Sequence, residues 1–236
     1  TSVAAYHGYN YLLARENLAD HLSAHERKEK IRQRLLKIRA KKVVIATGAI
    51  ERPLIFSNND RPGIILSSSI KKYIDYYGVK TGENISLFTN NDSAYETAIS
   101  LNKSGVKVKV IIDIRENPNS ILSEKIEKTG IKILRGYTIT NTDGYKRIKS
   151  IDVMKLSKDG ENVVGNKTTY KCDCLGISGG WTPMVHLFTQ SGGKLKFRKN
   201  DNFFITDENK TTSEQILSLI HISEPTIRDP ISFCVL

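Results

Sequence analysis

Short, almost wholly apolar runs recur along the chain, and several are separated by segments whose apolar residues fall three or four positions apart. Apolar runs of this kind are typical of strands covered on both faces, as in the parallel sheet of an α/β domain. The spacing in Ser67–Tyr77 predicts an amphipathic helix. By these criteria the pattern predicts strands over 33–40, 42–47, 85–89, 106–112, 131–134 and 174–178, helices over 12–22, 67–77, 94–103 and 120–129, and a β meander over 137–141, 148–156 and 168–170.

The order of these elements predicts two nested domains. Residues 85–112 form a strand–turn–helix–strand unit of the size of a mononucleotide-binding βαβ motif. Two strands that each end in glycine, 42–47 and 174–178, flank it, and we expect them to meet in one sheet and frame one crevice. The expected fold is therefore α/β, with nested but incomplete Rossmann-like dinucleotide-binding domains. We expect an outer domain over 1–80 and 172–215, and an inserted domain with the meander over 81–171.

The first glycine-tipped strand carries a candidate ligand site at Thr47 and Gly48. Glycine lets backbone approach a partner that a side chain would push away, and open parallel sheets bind ligands beyond the carboxyl ends of their strands. A dinucleotide near these residues is one interpretation. An ordinary glycine turn after a buried strand is the other.

The turn Thr89-Asn90-Asn91-Asp92-Ser93-Ala94 occupies the place of a G-x-G-x-x-G/A dinucleotide fingerprint, but only Ala94 satisfies it. Asn tolerates left-handed backbone angles, so the turn itself can survive without glycine. Asp92 or Ser93 could cap the following helix. Asp113 lies where an acidic side chain could bond a ribose hydroxyl. A nucleotide site and a capped turn with a degenerate site both remain open.

Composition excludes several other functions. The net charge is +11, but the Lys and Arg residues are scattered, apart from 25–42, which we interpret as a solvated loop leading into a strand. We expect no nucleic-acid partner and no membrane partner, because no nucleic-acid motif and no apolar stretch of about 20 residues is present. Cys172 and Cys174 lie two apart, so we expect them to point the same way and to pack in the core. No metal site and no catalytic triad is predicted, and His186 is expected to be structural.

Four segments resemble the alpha subunit of heterotetrameric sarcosine oxidase, and more broadly the flavoproteins with two dinucleotide-binding domains. They are, in family order, KKVVIATGAIERPL, NNDRPGI, LFTNNDSAYETA and GISGGWTPMVHLFTQSGGKL, and the resemblance covers roughly residues 1–206. Within the first segment, ATG alone is weakly specific, whereas the TNNDSAY turn of the third and the SGGW-x-P-x-VHL-x-x-QSGGK stretch of the last are highly specific. The resemblance implies a fold of the FAD/NAD(P)-binding type.

The resemblance also implies a function. The family complex oxidatively demethylates sarcosine, passes the carbon to tetrahydrofolate and makes hydrogen peroxide. It implies an oxidoreductase subunit acting on CH–NH donors, which binds NAD and contributes to a flavin site (FMN or FAD) at a subunit interface. The implied partners are beta, gamma and delta subunits, and the implied location is cytoplasmic. Tetrahydrofolate would bind only in a C-terminal part that we do not find here. We therefore expect a central fragment that is inactive when isolated.

The same resemblance implies cofactor-facing residues. Carried onto this chain, they are Ala46, Thr47, Gly48, Gly179, Gly180 and Trp181. Arg52 could neutralise a phosphate or form a surface salt bridge, and Trp181 could stack on a ring or fill the core. The nucleotide-turn candidates described above are Asn90, Asn91, Asp92, Ser93 and Asp113.

Two competing functions remain on the sequence alone. One is a stand-alone reductase of the pyridine nucleotide–disulfide type, which would require a C-x(4)-C redox pair or a complete fingerprint. The other is a non-catalytic scaffold subunit, which the altered turn favours. Finally, LIHISEPT near the C-terminus resembles translated sequencing-adapter DNA, so we expect 216–236 to be a non-biological tail.

Overall fold

The computed structural model describes residues 2–6, 9–15, 33–38, 43–45, 47–118, 120–198, 203–206, 211–213 and 216–218. Contacts between these residues divide the chain into two compact units. Unit 1 comprises Thr1–Ile50 and Thr182–Leu236, and unit 2 comprises Glu51–Trp181. The two boundaries between the units fall within short strands, one between Ile50 and Glu51 and the other between Trp181 and Thr182.

The elements follow one another in chain order. The N-terminal strands are β1 (Ser2–Tyr6), β2 (Tyr9–Arg15), β3 (Gln33–Ile38), β4 (Val43–Ile45) and β5 (Ala49–Glu51). Next come β6 (Ile64–Leu66), α1 (Ser67–Asp75), β7 (Ile85–Thr89), α2 (Ser93–Lys103), β8 (Val108–Asp113), α3 (Ile121–Glu127) and β9 (Ile133–Arg135). The meander is β10 (Tyr137–Asp143), β11 (Ser150–Leu156) and β12 (Val163–Lys171), followed by β13 (Cys174–Ser178) and β14 (Trp181–Pro183). The chain ends with α4 (His186–Gln190), β15 (Leu195–Arg198), β16 (Phe203–Thr206), β17 (Thr211–Ser213) and β18 (Ile216–Ser218).

Unit 2 is built on a parallel sheet of order β6-β13-β7-β8-β9. Every residue of β7 and β13 is buried, as expected for central strands covered on both faces. One face packs against the helices, with Ile70 of α1, Tyr95 of α2 and Ile126 of α3 in that core. The other face packs against the antiparallel meander, which contributes Ile139 and Ile151. The predicted βαβ unit and meander are thereby confirmed.

Unit 1 contains smaller sheets. In one, β2 lies between β1 and β3 in antiparallel pairing, and in another β4 pairs in parallel with β18, which pairs antiparallel with β17. A further antiparallel pair joins β15 and β16. Ile45 at the end of β4 is buried and packs in one cluster with Phe188 of α4.

Three sequence-based expectations differ from the structure at the level of elements. The helix predicted over 12–22 is wrong for 12–15, which belong to β2, and its remaining residues lie outside the described part of the chain. Pairing with two neighbouring strands outweighs the local helical spacing there. Cys172 and Cys174 do not point the same way, because a bend at Asp173 separates them and they pack in opposite cores of the sheet.

The third difference concerns the glycine-tipped strands. Where the structure describes it, β4 pairs with β18, whereas β13 lies between β6 and β7, so the prediction that the two strands share a sheet is wrong. The same pairing brings β6, α1 and β13 into unit 2, which extends beyond the predicted inserted domain 81–171 at both ends. Ile216–Ser218, the start of the predicted foreign tail, form β18 beside β4, and residues 219–236 lie outside the described part.

Candidate functional site

The carboxyl edge of the unit 2 sheet is the first candidate site. Thr89, Asp113 and Ser178 end the three adjacent strands β7, β8 and β13, and all three side chains are buried. Ligands of open parallel sheets bind at such an edge. What the edge can bind depends on the β7–α2 turn, which contains the fingerprint positions.

Side chains hold the β7–α2 turn together. The Asn91 Oδ1 atom accepts a hydrogen bond from the Ser93 backbone N–H at 2.9 Å, and so caps α2. The Asn91 amide nitrogen donates to the Ser178 carbonyl at 3.1 Å and to the Ser178 hydroxyl at 3.0 Å. The Thr89 hydroxyl donates to the Asn91 carbonyl at 2.8 Å. No residue of this turn has a positive φ, so it closes without the left-handed angles expected of Asn.

The two residues predicted as caps have other partners. Asp92 occupies the N-cap position of α2, but its side chain makes no capping hydrogen bond. Its carboxylate pairs instead with the Arg115 guanidinium at 2.7 Å. The Ser93 hydroxyl accepts a hydrogen bond from the Trp181 indole N–H at 2.6 Å. The prediction that Asp92 or Ser93 caps the helix is therefore wrong, because Asn91 supplies the acceptor.

Asp113 is fully buried at the centre of a charge network. Its carboxylate accepts hydrogen bonds from the Tyr95 hydroxyl at 2.6 Å, from the Arg115 guanidinium at 2.8 and 3.1 Å, and from the Arg115 backbone N–H at 2.9 Å. The pKa of Tyr95 is raised well above its usual value, chiefly by burial and secondly by the hydrogen bond to Asp113. Partial burial lowers the pKa of Arg115, but its hydrogen bonds to Asp113 and Asp92 together raise the pKa by more than burial lowers it. The net pKa is therefore raised, and the guanidinium stays charged. The Asp113 carboxylate is thus turned toward protein groups rather than toward an open crevice.

The glycines after β13 approach protein backbone. A Cβ atom on Gly179 would lie 2.8 Å from the Pro53 carbonyl oxygen and 3.0 Å from that of Arg52. The backbones of these segments are hydrogen-bonded, from Arg52 N–H to the Gly180 carbonyl at 2.8 Å and from Gly179 N–H to the Arg52 carbonyl at 2.7 Å. The close approach that sequence reasoning assigned to a cofactor is made here by residues 52–53. Trp181 is partly buried, and its indole N–H donates a hydrogen bond to the Ser93 hydroxyl.

The unit 2 edge does not fit a dinucleotide. Pyrophosphates bind at helix N-termini through free backbone N–H groups and a close glycine backbone, but the Ser93 N–H is capped by Asn91 and glycine is missing from the turn. Asp92 places a carboxylate at the same end of α2. Two unit charges about 4 Å apart repel by about 1 kcal/mol in water and about 4 kcal/mol at an effective dielectric constant of about 20.

The second candidate site lies in unit 1, at Thr47 and Gly48 beyond β4. The Thr47 hydroxyl donates to the Met184 carbonyl at 2.6 Å, and the Met184 N–H donates to the Gly48 carbonyl at 2.9 Å. Gly48 has φ +69°, and a Cβ atom placed on it would meet no atom of the described residues within 4 Å. As far as the described residues show, this turn therefore leaves room for the close backbone approach that a dinucleotide needs. Ala46 lies outside the described residues.

Met184 was missed by sequence reasoning. It contributes only backbone atoms, and it lies 137 residues away from Thr47 in the chain. A backbone contact leaves no residue-type signal, so the sequence offered no means of finding it.

Other chemistry is not supported among the described residues. No group of His, Cys, Asp and Glu side chains could hold a metal ion there, and no described helix has the length and apolar character needed to cross a bilayer. Burial raises the pKa of Cys172 to about 12 and also raises that of Cys174, so neither thiol has the depressed pKa of a redox-active cysteine. His186 begins α4.

Comparison with known proteins confirms the predicted resemblance. The alpha subunits of sarcosine oxidase from Corynebacterium sp. strain U-96 and strain P-1 are 35% and 34% identical to this chain, over 87% and 88% of its length. That of Rhizobium meliloti strain 1021 is 35% identical over 69%. The chain spans about a fifth of the length of the two Corynebacterium relatives, 21% in each case, and 15% of the third.

Solved structures show the same fold at low identity. Thioredoxin reductase of T. acidophilum has a TM-score of 0.63 at 16% identity, with 97% of this chain and 66% of that chain covered. L-proline dehydrogenase of P. horikoshii has a TM-score of 0.56 at 20% identity, with 92% and 34% covered. The predicted FAD/NAD(P)-binding type of fold is confirmed. Residues 8–219 match the family described as pyridine nucleotide-disulphide oxidoreductase, and the chain belongs to that family.

Proposed function

We propose that this chain is the dinucleotide-binding region of a sarcosine oxidase-like alpha subunit. In this proposal it binds NAD and supports a flavin site within a cytoplasmic complex with beta, gamma and delta subunits. The complex oxidatively demethylates sarcosine, an oxidation at a CH–NH bond, with tetrahydrofolate as carbon acceptor and hydrogen peroxide as product. The observation that carries the proposal is the identity of 34–35% with three sarcosine oxidase alpha subunits.

We place the dinucleotide of this proposal at Ala46, Thr47 and Gly48 in unit 1. When bound, a nicotinamide or flavin supplies hydride or electron-pair transfer, which protein side chains cannot supply. The contribution of the chain is to position the turn. The bonds between Thr47, Gly48 and Met184 fix the turn, and the left-handed backbone of Gly48 leaves its outer face without a side chain. A phosphate-neutralising Arg52 remains a prediction.

A stand-alone disulfide reductase is less well supported. Such an enzyme needs two thiols close together and one with a depressed pKa. Cys172 and Cys174 pack in opposite cores of the unit 2 sheet, and burial raises the pKa of both thiols. These thiols therefore supply no redox pair.

The proposed site is tested by Gly48→Ala in the full-length alpha subunit assembled with its partners. The matched control is Gly78→Ala, because Gly78 also has a left-handed φ (+63°) and open space around its Cβ position, but lies in unit 2. Both variants carry the same backbone strain. We expect the dissociation constant for NAD, measured by isothermal titration calorimetry, to rise at least tenfold in Gly48→Ala and less than twofold in Gly78→Ala.

Equal effects of the two variants would assign the change to backbone strain and reject Thr47–Gly48 as the site. The reaction is tested separately, by hydrogen peroxide production from sarcosine in the wild-type complex with and without tetrahydrofolate. A complex that oxidises another secondary amine but not sarcosine would refute the substrate while leaving the dinucleotide site in place.

A further inference from the structure

Side chains at the fingerprint positions of the β7–α2 turn form hydrogen bonds to the segment Ser178–Trp181 of unit 2. Asn91 and Thr89 bond Ser178, and Ser93 bonds the Trp181 indole. The Asn90 backbone N–H also donates to the Ser178 carbonyl, at 3.3 Å. Residues 89, 90, 91 and 93 of the turn thus each make at least one hydrogen bond to one short stretch of chain.

We propose that this turn is an intramolecular anchor for the segment Ser178–Trp181, and that unit 2 takes no dinucleotide. The segment is the last part of unit 2 before the chain enters unit 1. The anchor holds it at the carboxyl edge of the sheet, where a fingerprint turn would present backbone to a pyrophosphate. The inference does not depend on the proposed function, because it concerns residues of unit 2 alone.

Contacts with residues 52–53 explain why two glycines occur together in the anchored segment. Gly179 and Gly180 lie between the two anchored residues, and their backbones pair with Arg52. A Cβ on Gly179 would lie 2.8 Å from the Pro53 carbonyl oxygen and 3.0 Å from that of Arg52, so a side chain at this position would force the backbone to shift. The turn side chains and the backbone of the glycine pair therefore hold residues 178–181 together, between the β7–α2 turn and residues 52–53.

The charges near the turn also oppose a dinucleotide. Arg115 faces the turn, but it is engaged by both Asp92 and Asp113. Glu96 adds a further carboxylate in the first turn of α2. A pyrophosphate would have to displace Asp92 from Arg115 and Asn91 from the Ser93 N–H before it could bind.

Hydrogen–deuterium exchange of the full-length alpha subunit in its complex tests both parts. The probes are NAD, NADP and inorganic pyrophosphate at millimolar concentration. We expect less than a twofold change in the exchange of the peptide that covers 87–101 with each probe. Tenfold protection of that peptide by any probe would overturn the proposal. The peptide that covers 43–51 reports on the proposed unit 1 site independently, so failure of one does not imply failure of the other.

The anchor itself is tested by Asn91→Asp. Asp retains an acceptor for the Ser93 N–H, so α2 stays capped, but it lacks the amide N–H that binds Ser178. We expect at least tenfold faster exchange in the peptide that covers 176–183, with the α2 peptide unchanged. The control is Asn102→Ala, an exposed position on the same helix, which should leave both peptides unchanged. If the peptide that covers 176–183 exchanges at the same rate in Asn91→Asp as in the wild type, the proposed anchor is refuted.

Discussion

Asp113→Asn distinguishes a buried structural carboxylate from a ribose ligand. Sequence reasoning placed an acidic ribose partner at this position, whereas the structure shows a fully buried side chain that pairs with Arg115 and accepts from the Tyr95 hydroxyl. The Asn side chain removes the negative charge. It also turns one of the two acceptor oxygens into an N–H₂ group, which cannot accept the hydrogen bonds that Arg115 donates. We therefore expect a loss of stability rather than a loss of nucleotide affinity.

The size of the loss follows from burial. Removing one member of a buried ion pair costs about 3–5 kcal/mol, because the remaining charge is left without a partner. Arg115 is 33% exposed and keeps its bond to Asp92, so we expect the lower end of that range, about 3 kcal/mol. For a urea m-value of about 2 kcal/mol per molar, the unfolding midpoint falls by about 1.5 M.

The assay is urea denaturation followed by circular dichroism, with Asp75→Asn as the matched control. Asp75 also pairs with a cation, Lys71, but its side chain is 40% exposed, so its substitution should cost about 0.5 kcal/mol or less. The NAD dissociation constant should change less than twofold in both variants. A loss below about 1 kcal/mol in Asp113→Asn, or a tenfold weaker affinity at unchanged stability, would refute the structural interpretation of this carboxylate.

Three further predictions concern packing and the thiols. Gly179→Ala should lower the free energy of unfolding by about 1–3 kcal/mol in urea denaturation, because its Cβ meets backbone at 2.8 Å; a loss below about 0.5 kcal/mol contradicts the close approach. Cys172 and Cys174 should resist iodoacetamide at pH 8, as measured by peptide mass spectrometry, and should label only in urea, since a pKa of about 12 leaves about one Cys172 thiol in 10,000 ionised. Stability should fall as the pH rises from about 9 to 12, because the unfolded Cys172 thiol loses its proton near pH 8.5 while the folded one retains it; Cys172→Val should flatten that slope, and an unchanged slope would count against it.

The unit 2 sheet could be predicted from sequence because its signals are local. The apolar runs in β7 and β13 are too short for helices, and α2 between β7 and β8 has helical spacing, so the βαβ unit follows from length and period alone. The N-terminal strand β2 could not be predicted in the same way. Its structure depends on pairing with β1 and β3, and such non-local pairing outweighs local spacing.

The candidate site shows where sequence reasoning about glycine fails. A glycine at a strand end signals that something comes close to the backbone, but it does not say what. At Gly48 the space around the missing side chain is open among the described residues, whereas at Gly179 it is filled by residues 52–53. The two positions look alike in sequence, but Gly48 has a left-handed φ and Gly179 is met by chain more than 120 residues away. The same limit applies to Asn91, whose amide can serve a ligand or a neighbouring strand, and only coordinates show that it binds Ser178. A degenerate fingerprint therefore indicates an altered partner for the turn, and the identity of that partner has to be found from the contacts that its side chains make.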